Sequence, residues 1–195
     1  MKKTLIILAI LSLFSCKAQT DLVNLRDWDG PITSNMYLID SENDLNQFEG
    51  TWLYTDGPNT SLKIVLVKKL MTDRIEYKED ILIGGFEYIK DGVLISNSLA
   101  EVNVNLQHQI NHTIAGNFIE RGNKTLFDEY TEDETRVELF FRETLNGTIM
   151  LRKKIVNGNE AIQLLKRTRP STIIFGETSL EPMFPDGYYT LIKQP

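Results

Sequence analysis

The sequence predicts an all-β protein: an antiparallel meander that closes into a barrel or a strongly curved sheet, with one short helical turn before its first strand. Three observations carry that prediction. Apolar residues fall in short runs rich in Val, Ile, Leu, Thr and aromatics, the composition of strands. Asp91-Gly92, Asn146-Gly147 and Asn157-Gly158 separate such runs, and an Asx-Gly pair supplies the positive φ angles that a tight hairpin needs. Past residue 50, no stretch repeats apolar residues at the spacing of an amphipathic helix.

The chain begins with Lys2 and Lys3, followed by an apolar run through residues 5–14. A spanning helix needs about 20 apolar residues, so this run reads as a signal peptide over residues 1–15. It ends in Leu13-Phe14-Ser15-Cys16, which resembles a bacterial lipobox, with an aliphatic residue three before the cysteine and a small residue just before it. The resemblance implies that the Cys16 thiol becomes a thioether to diacylglycerol and that cleavage exposes an acylated new N-terminus. A cysteine suits that chemistry because its thiolate is the strongest nucleophile available there. Cys16 is the single cysteine of the 195 residues, so lipidation leaves neither a free thiol nor a disulfide. Lys17-Ala18-Gln19-Thr20-Asp21 follows. It has no aspartate next to the cysteine and no acidic cluster, a pattern expected of an outer-membrane anchor facing the periplasm.

Residues 16–43 are rich in Asp, Asn and Ser and broken by Gly30-Pro31, and read as a lipidated lead or tether. Trp28, between Asp27 and Asp29, is expected to fold back on the domain or to anchor a partner. The domain is expected over residues 44–195. Residues 44–48 suit one helical turn with a capping residue ahead of it. Strands are expected at residues 51–55 and 62–67, the latter with Leu62, Ile64 and Leu66 on one face and Val65 and Val67 on the other. The next runs over residues 81–89, where Gly84-Gly85 suggests a bulge or sharp bend. Residues 93–95, the Val102, Val104 and Leu106 alternation, and residues 113–119 follow. Residues 137–141, 148–151, 161–165, 173–175 and 188–192 complete some eight to ten strands.

Composition narrows the function. The net charge is −6 with a pI near 5.0, and no basic stripe exists for a phosphate backbone, so no nucleic-acid partner is expected. There is no Gly-x-Ser-x-Gly elbow, phosphate-cradling glycine loop or zincin helix. His108 and His112 are the two histidines; on a strand they stand about 13 Å apart, too far for one ion. The acidic run at residues 128–134 lacks the spacing and internal glycine of a calcium loop. Glu79-Asp80 is a carboxylate pair with no partner acid placed by the sequence. No catalytic residue, metal or cofactor is expected.

Phe48, Gly50 and Trp52 form a Phe-x-Gly-x-Trp entry to the first strand, with Tyr54 following. This resembles the opening of the calycins, the lipocalin-like barrels. The resemblance implies that Trp52 packs across the closed end of a barrel against an arginine from a late strand, either Arg152 or Arg167. A longer likeness spans most of the chain: Ser-Cys-Lys-Ala-Gln, then residues 44–52, residues 77–88, and Phe184-Pro185-Asp186-Gly187 with residues 190–193. These are similar to a family of Bacteroidetes lipoproteins of unknown function. An eight-stranded barrel is just wide enough for one small ligand. The leading expectation is thus a non-enzymatic tethered protein holding a small apolar or lipid-like molecule in its barrel. The alternative is an envelope interaction or assembly module with a packed barrel, its exposed aromatic patch formed by Trp28, Tyr37 and residues 182–189.

Overall fold

The structure, a computed structural model, describes residues 20–121, 127, 134–143, 147–168 and 184–195. Cys16, the signal segment, the expected strand at residues 173–175, and residues 128–133 of the acidic run lie outside the described residues.

Eleven strands form one sheet: β1 (Asp21–Asn24), β2 (Met36–Ile39), β3 (Gly50–Asp56), β4 (Thr60–Asp73), β5 (Lys78–Lys90), β6 (Val93–Asn97), β7 (Ile114–Arg121), β8 (Thr135–Phe141), β9 (Gly147–Val156), β10 (Asn159–Thr168) and β11 (Gly187–Lys193). Eight of them, β3, β4, β5, β7, β8, β9, β10 and β11, pair antiparallel in chain order, and β11 returns to β3 through Ile192–Leu53 and Lys193–Trp52. The result is a closed up-and-down barrel of the lipocalin-like kind, which leaves those strands without a free edge. Another short seam joins β5 to β7, where Leu82, Ile83 and Gly84 meet Gly116, Ala115 and Ile114.

Alternation explains the wall. Leu62, Ile64 and Leu66 of β4, Phe86 of β5, Val137, Leu139 and Phe141 of β8, Ile149 and Leu151 of β9, Ile162 and Leu164 of β10, and Leu191 of β11 form one buried core. None of these side chains is more than 1% exposed. Phe184 enters one end and meets the rings of Phe86, Phe141, Tyr88 and Tyr189. Buried Lys166 joins that plug, with its ammonium 3.1 Å from Glu143 and 3.0 Å from Asp186. Outside the wall, Val67 and Ile110 pack on Ile81, Ile83 and Ala115. The β4–β5 hairpin is therefore covered on both faces, as its two apolar sets suggest.

Several expectations change. Gly84 and Gly85 sit in regular register opposite Leu66 and Val65, so no bulge forms there. A Cβ on Gly84 would stand 2.5 Å from the Val65 carbonyl oxygen, and one on Gly85 would stand 2.5 Å from that of Ser98. The glycines serve close approach. The irregularities fall instead between Lys69 and Thr72, between Tyr88 and Ile89, and between Ala115 and Phe118. Val102 lies in a 3₁₀ turn over Leu99–Asn103, and Val104 caps it. Asparagines beside short apolar residues favour local turns over a ladder.

The expected turn before the first strand is a 3₁₀ turn, Asn46–Phe48, with no side-chain cap from its own first residue. Asp40 supplies the bonds instead, accepting from the Asp44 and Leu45 amides at 2.8 and 3.0 Å and from Lys68 Nζ at 2.7 Å. From Asp21 on, the lead is built into the sheet: β1 runs parallel to β2, and β2 parallel to β5. Arg26 also pairs with Asp44. The folded unit therefore reaches well upstream of residue 44. Trp28 packs against the main core, and Tyr37 is buried with its hydroxyl on Asp80 at 2.6 Å. Those two residues do not make the exposed aromatic patch that the interaction reading calls for.

Candidate functional site

The Phe-x-Gly-x-Trp entry plugs the end of the barrel opposite Phe184. Phe48 and Trp52 are fully buried, and the Trp52 indole donates to the Phe48 carbonyl at 2.8 Å. Gly50, at φ +125°, takes a conformation that side chains oppose. The cations over the Trp52 ring are Lys153 and Lys193, at 5.2 and 5.5 Å. They lie two residues beyond inward-facing Leu151 and Leu191. Arg152 is on the other face of β9, its guanidinium 4.6 Å from the Phe127 ring and bonded to Gln163 at 2.7 Å. Arg167 is exposed. Two lysines thus occupy the place that the calycin resemblance gives to an arginine.

The wall opens at the β5–β7 seam. Past Gly116 the register breaks and β7 leaves β5, and a cleft of about 450 Å³ lies between β7, the β4–β5 hairpin and the lead. Its apolar lining includes Trp28, Leu38, Phe118, Ile119, Leu139 and Phe140. Its polar lining includes Arg26, Glu138 and Thr148, and a linked polar group at the hairpin. Arg74 Nε lies 3.0 Å from Glu79 Oε1, and Asn117 Nδ2 donates to Glu79 Oε2 at 3.0 Å and to the Asp80 carbonyl at 2.8 Å. The Tyr77 hydroxyl lies 3.3 Å from Arg74 Nε and 3.4 Å from Glu79 Oε2. Burial pushes the Glu79 carboxyl above its usual range, against the opposing pull of Arg74, Asn117 and Tyr77. Burial also raises Tyr77. The Trp28 indole N–H is buried without a hydrogen-bond partner among the described residues. Arg74 and Tyr77 border two further hollows, of about 530 and about 290 Å³.

Strand alternation divides the Glu79-Asp80 pair. Glu79 faces the cleft, whereas Asp80 accepts from the Tyr37 hydroxyl and from the amides of Asp40 and Met71 at 2.6, 3.0 and 2.9 Å. One carboxylate belongs to the cleft and the other to the scaffold. His112 is fully buried, with Nε2 3.1 Å from Gln109 Oε1. His108 borders the 530 Å³ hollow. Among the described residues, no three His, Cys, Asp or Glu side chains are grouped to hold a metal ion, and no helix is long and apolar enough to cross a membrane.

Comparison with known proteins places the chain in a family. Residues 1–194 match the family of unknown function DUF6705. The chain belongs to that family. No curated protein and no solved structure matches it. The matched residues include those of the lead and of every barrel strand.

Proposed function

We propose that this DUF6705 member is a non-enzymatic binding protein of a Bacteroidetes-type cell envelope. Lipid on Cys16 anchors it in the outer membrane, facing the periplasm, and it holds a small amphipathic molecule in the seam cleft. The carrying observation is a cleft in which exposed Phe118 and Phe140 stand near a linked polar group of Arg74, Tyr77, Glu79 and Asn117. Its size, about 450 Å³, falls within the range of small-molecule sites. Side chains fill the barrel interior among the described residues, which moves the ligand from the barrel mouth to the wall. An apolar body would cover Phe118 and Phe140, both exposed, while a carbonyl or carboxylate head would accept from Arg74 and the Trp28 indole.

The test is native mass spectrometry and solvent extraction of the lipoprotein purified from envelopes. Wild type is expected to carry a defined amphiphile that Phe118→Glu loses, because the carboxylate would stand in the apolar wall. Wild type that remains free of bound mass after exposure to total envelope lipid overturns the reading.

A second reading has its own observation. Val93, Leu94 and Ile95 are successive exposed apolar residues on β6, which among the described residues pairs with β5 alone. Edges of this kind recruit partner strands. A photo-crosslinker at Ile95 that captures one envelope protein reproducibly would favour an assembly role; diffuse or absent capture would dismiss it.

A further inference from the structure

We infer that the tip of the β4–β5 hairpin, Arg74-Ile75-Glu76-Tyr77, is the membrane-contacting end of the protein, with Ile75 seated in the headgroup layer of the bilayer that carries the anchor. The inference rests on the lipidation of Cys16 proposed above. Ile75 is 92% exposed, an unfavourable place for an aliphatic side chain in water. Leu22 and Ile32, also exposed, lie on the same end of the molecule.

Strand direction and register place that end against the membrane. β1, β2 and β5 run parallel, so the start of β1 lies level with the start of β5. Asp21 pairs with Met36, and Tyr37 with Lys78, which sets Asp21 level with Tyr77. Strands two apart are separated by about 10 Å. Thr20 and Ile75 border the same hollow. Between Cys16 and Asp21 the chain spans at most about 18 Å.

A run of three exposed apolar residues, Val93 to Ile95, follows the far end of β5. That strand has 13 residues and so extends about 43 Å. A tether of at most about 18 Å brings the hairpin tip to the bilayer and leaves β6 well away from it. Charge does not drive the contact, because Asp73 and Glu76 balance Arg74 and Lys78 around the tip. Insertion of the apolar side chain is the source of attraction, and it should depend little on salt or anionic lipid. Because Arg74 and Tyr77 also line the seam cleft, this orientation turns that cleft toward the lipid surface.

The test uses the mature full-length lipoprotein in vesicles of phosphatidylethanolamine and phosphatidylglycerol. An environment-sensitive dye is attached in Ile75→Cys and, separately, in Val93→Cys, and shallow spin-labelled lipid serves as the quencher. A thioether at Cys16 leaves no other thiol in the chain. The Ile75→Cys label is expected to lose most of its emission, equally in low and high salt, while the Val93→Cys label keeps it. Equal protection of both labels, or quenching of Val93→Cys alone, overturns the inference. Failure of the anchor reading shows separately, as wild-type protein whose Cys16 takes the dye and whose mass lacks the diacylglyceryl group; the inference falls with it.

Discussion

The Trp52 indole and the Phe48 carbonyl are joined by a 2.8 Å hydrogen bond inside a fully buried pair. That bond fastens the 3₁₀ turn to the first barrel strand and closes the base beneath Lys153 and Lys193. Trp52→Phe removes the donor, strands the carbonyl and leaves space. Urea unfolding is expected to report a loss of about 2–3 kcal/mol, with an unchanged denaturant slope.

Asp80 is the joint between lead and hairpin, taking three donors from Tyr37, Asp40 and Met71. Asp80→Asn turns one acceptor into a donor aimed at other donors, at a cost of about 1–3 kcal/mol. Hydrogen exchange should locate the damage. The β2 amides and Met71, which has φ +50° in the β4 irregularity, exchange faster, whereas the β9–β10 ladder keeps its protection. Uniform acceleration across the barrel would show that the joint is not local.

Burial holds His112 below the usual histidine range, with smaller opposing effects from Glu101, which raises it, and Lys69, which lowers it. A folded-state value below the unfolded one means that the unfolded chain takes up the proton first. The neutral ring's contribution is present above about pH 6.5 and is lost as pH falls through the folded value. Thermal unfolding between about pH 7 and 5 should show a falling midpoint in the wild type. In His112→Gln the part of that slope owed to the ring disappears.

Most of the barrel was legible in the sequence because its signals are local. Asp91-Gly92 and Asn157-Gly158 take positive φ angles between strands whose inward faces alternate. The lead strands were not legible: β1 and β2 have four residues each and join through parallel pairing to β5, for which no neighbouring turn gives notice. The run through residues 102–106 alternates like a strand, yet it folds as a local turn covering the outside of β5. The cleft was less legible still. Glu79 stood out as half of an acidic pair, but Asn117 reaches it only because β7 pairs with β5 and then departs. What could have been drawn from sequence is that neighbours on a strand point opposite ways, so Glu79 and Asp80 could not share one task.

The pairing of β11 with β3 sets an order of events. The first barrel strand finds its second neighbour only in Ile192 and Lys193, so the ring cannot shut until nearly the whole chain is present, and a closure of that length is among the slower steps in folding. Until Ile192 and Lys193 arrive, the meander is an open curl with two unpaired rims. Their arrival, more than any single turn along the way, is the moment at which this protein can acquire its shape.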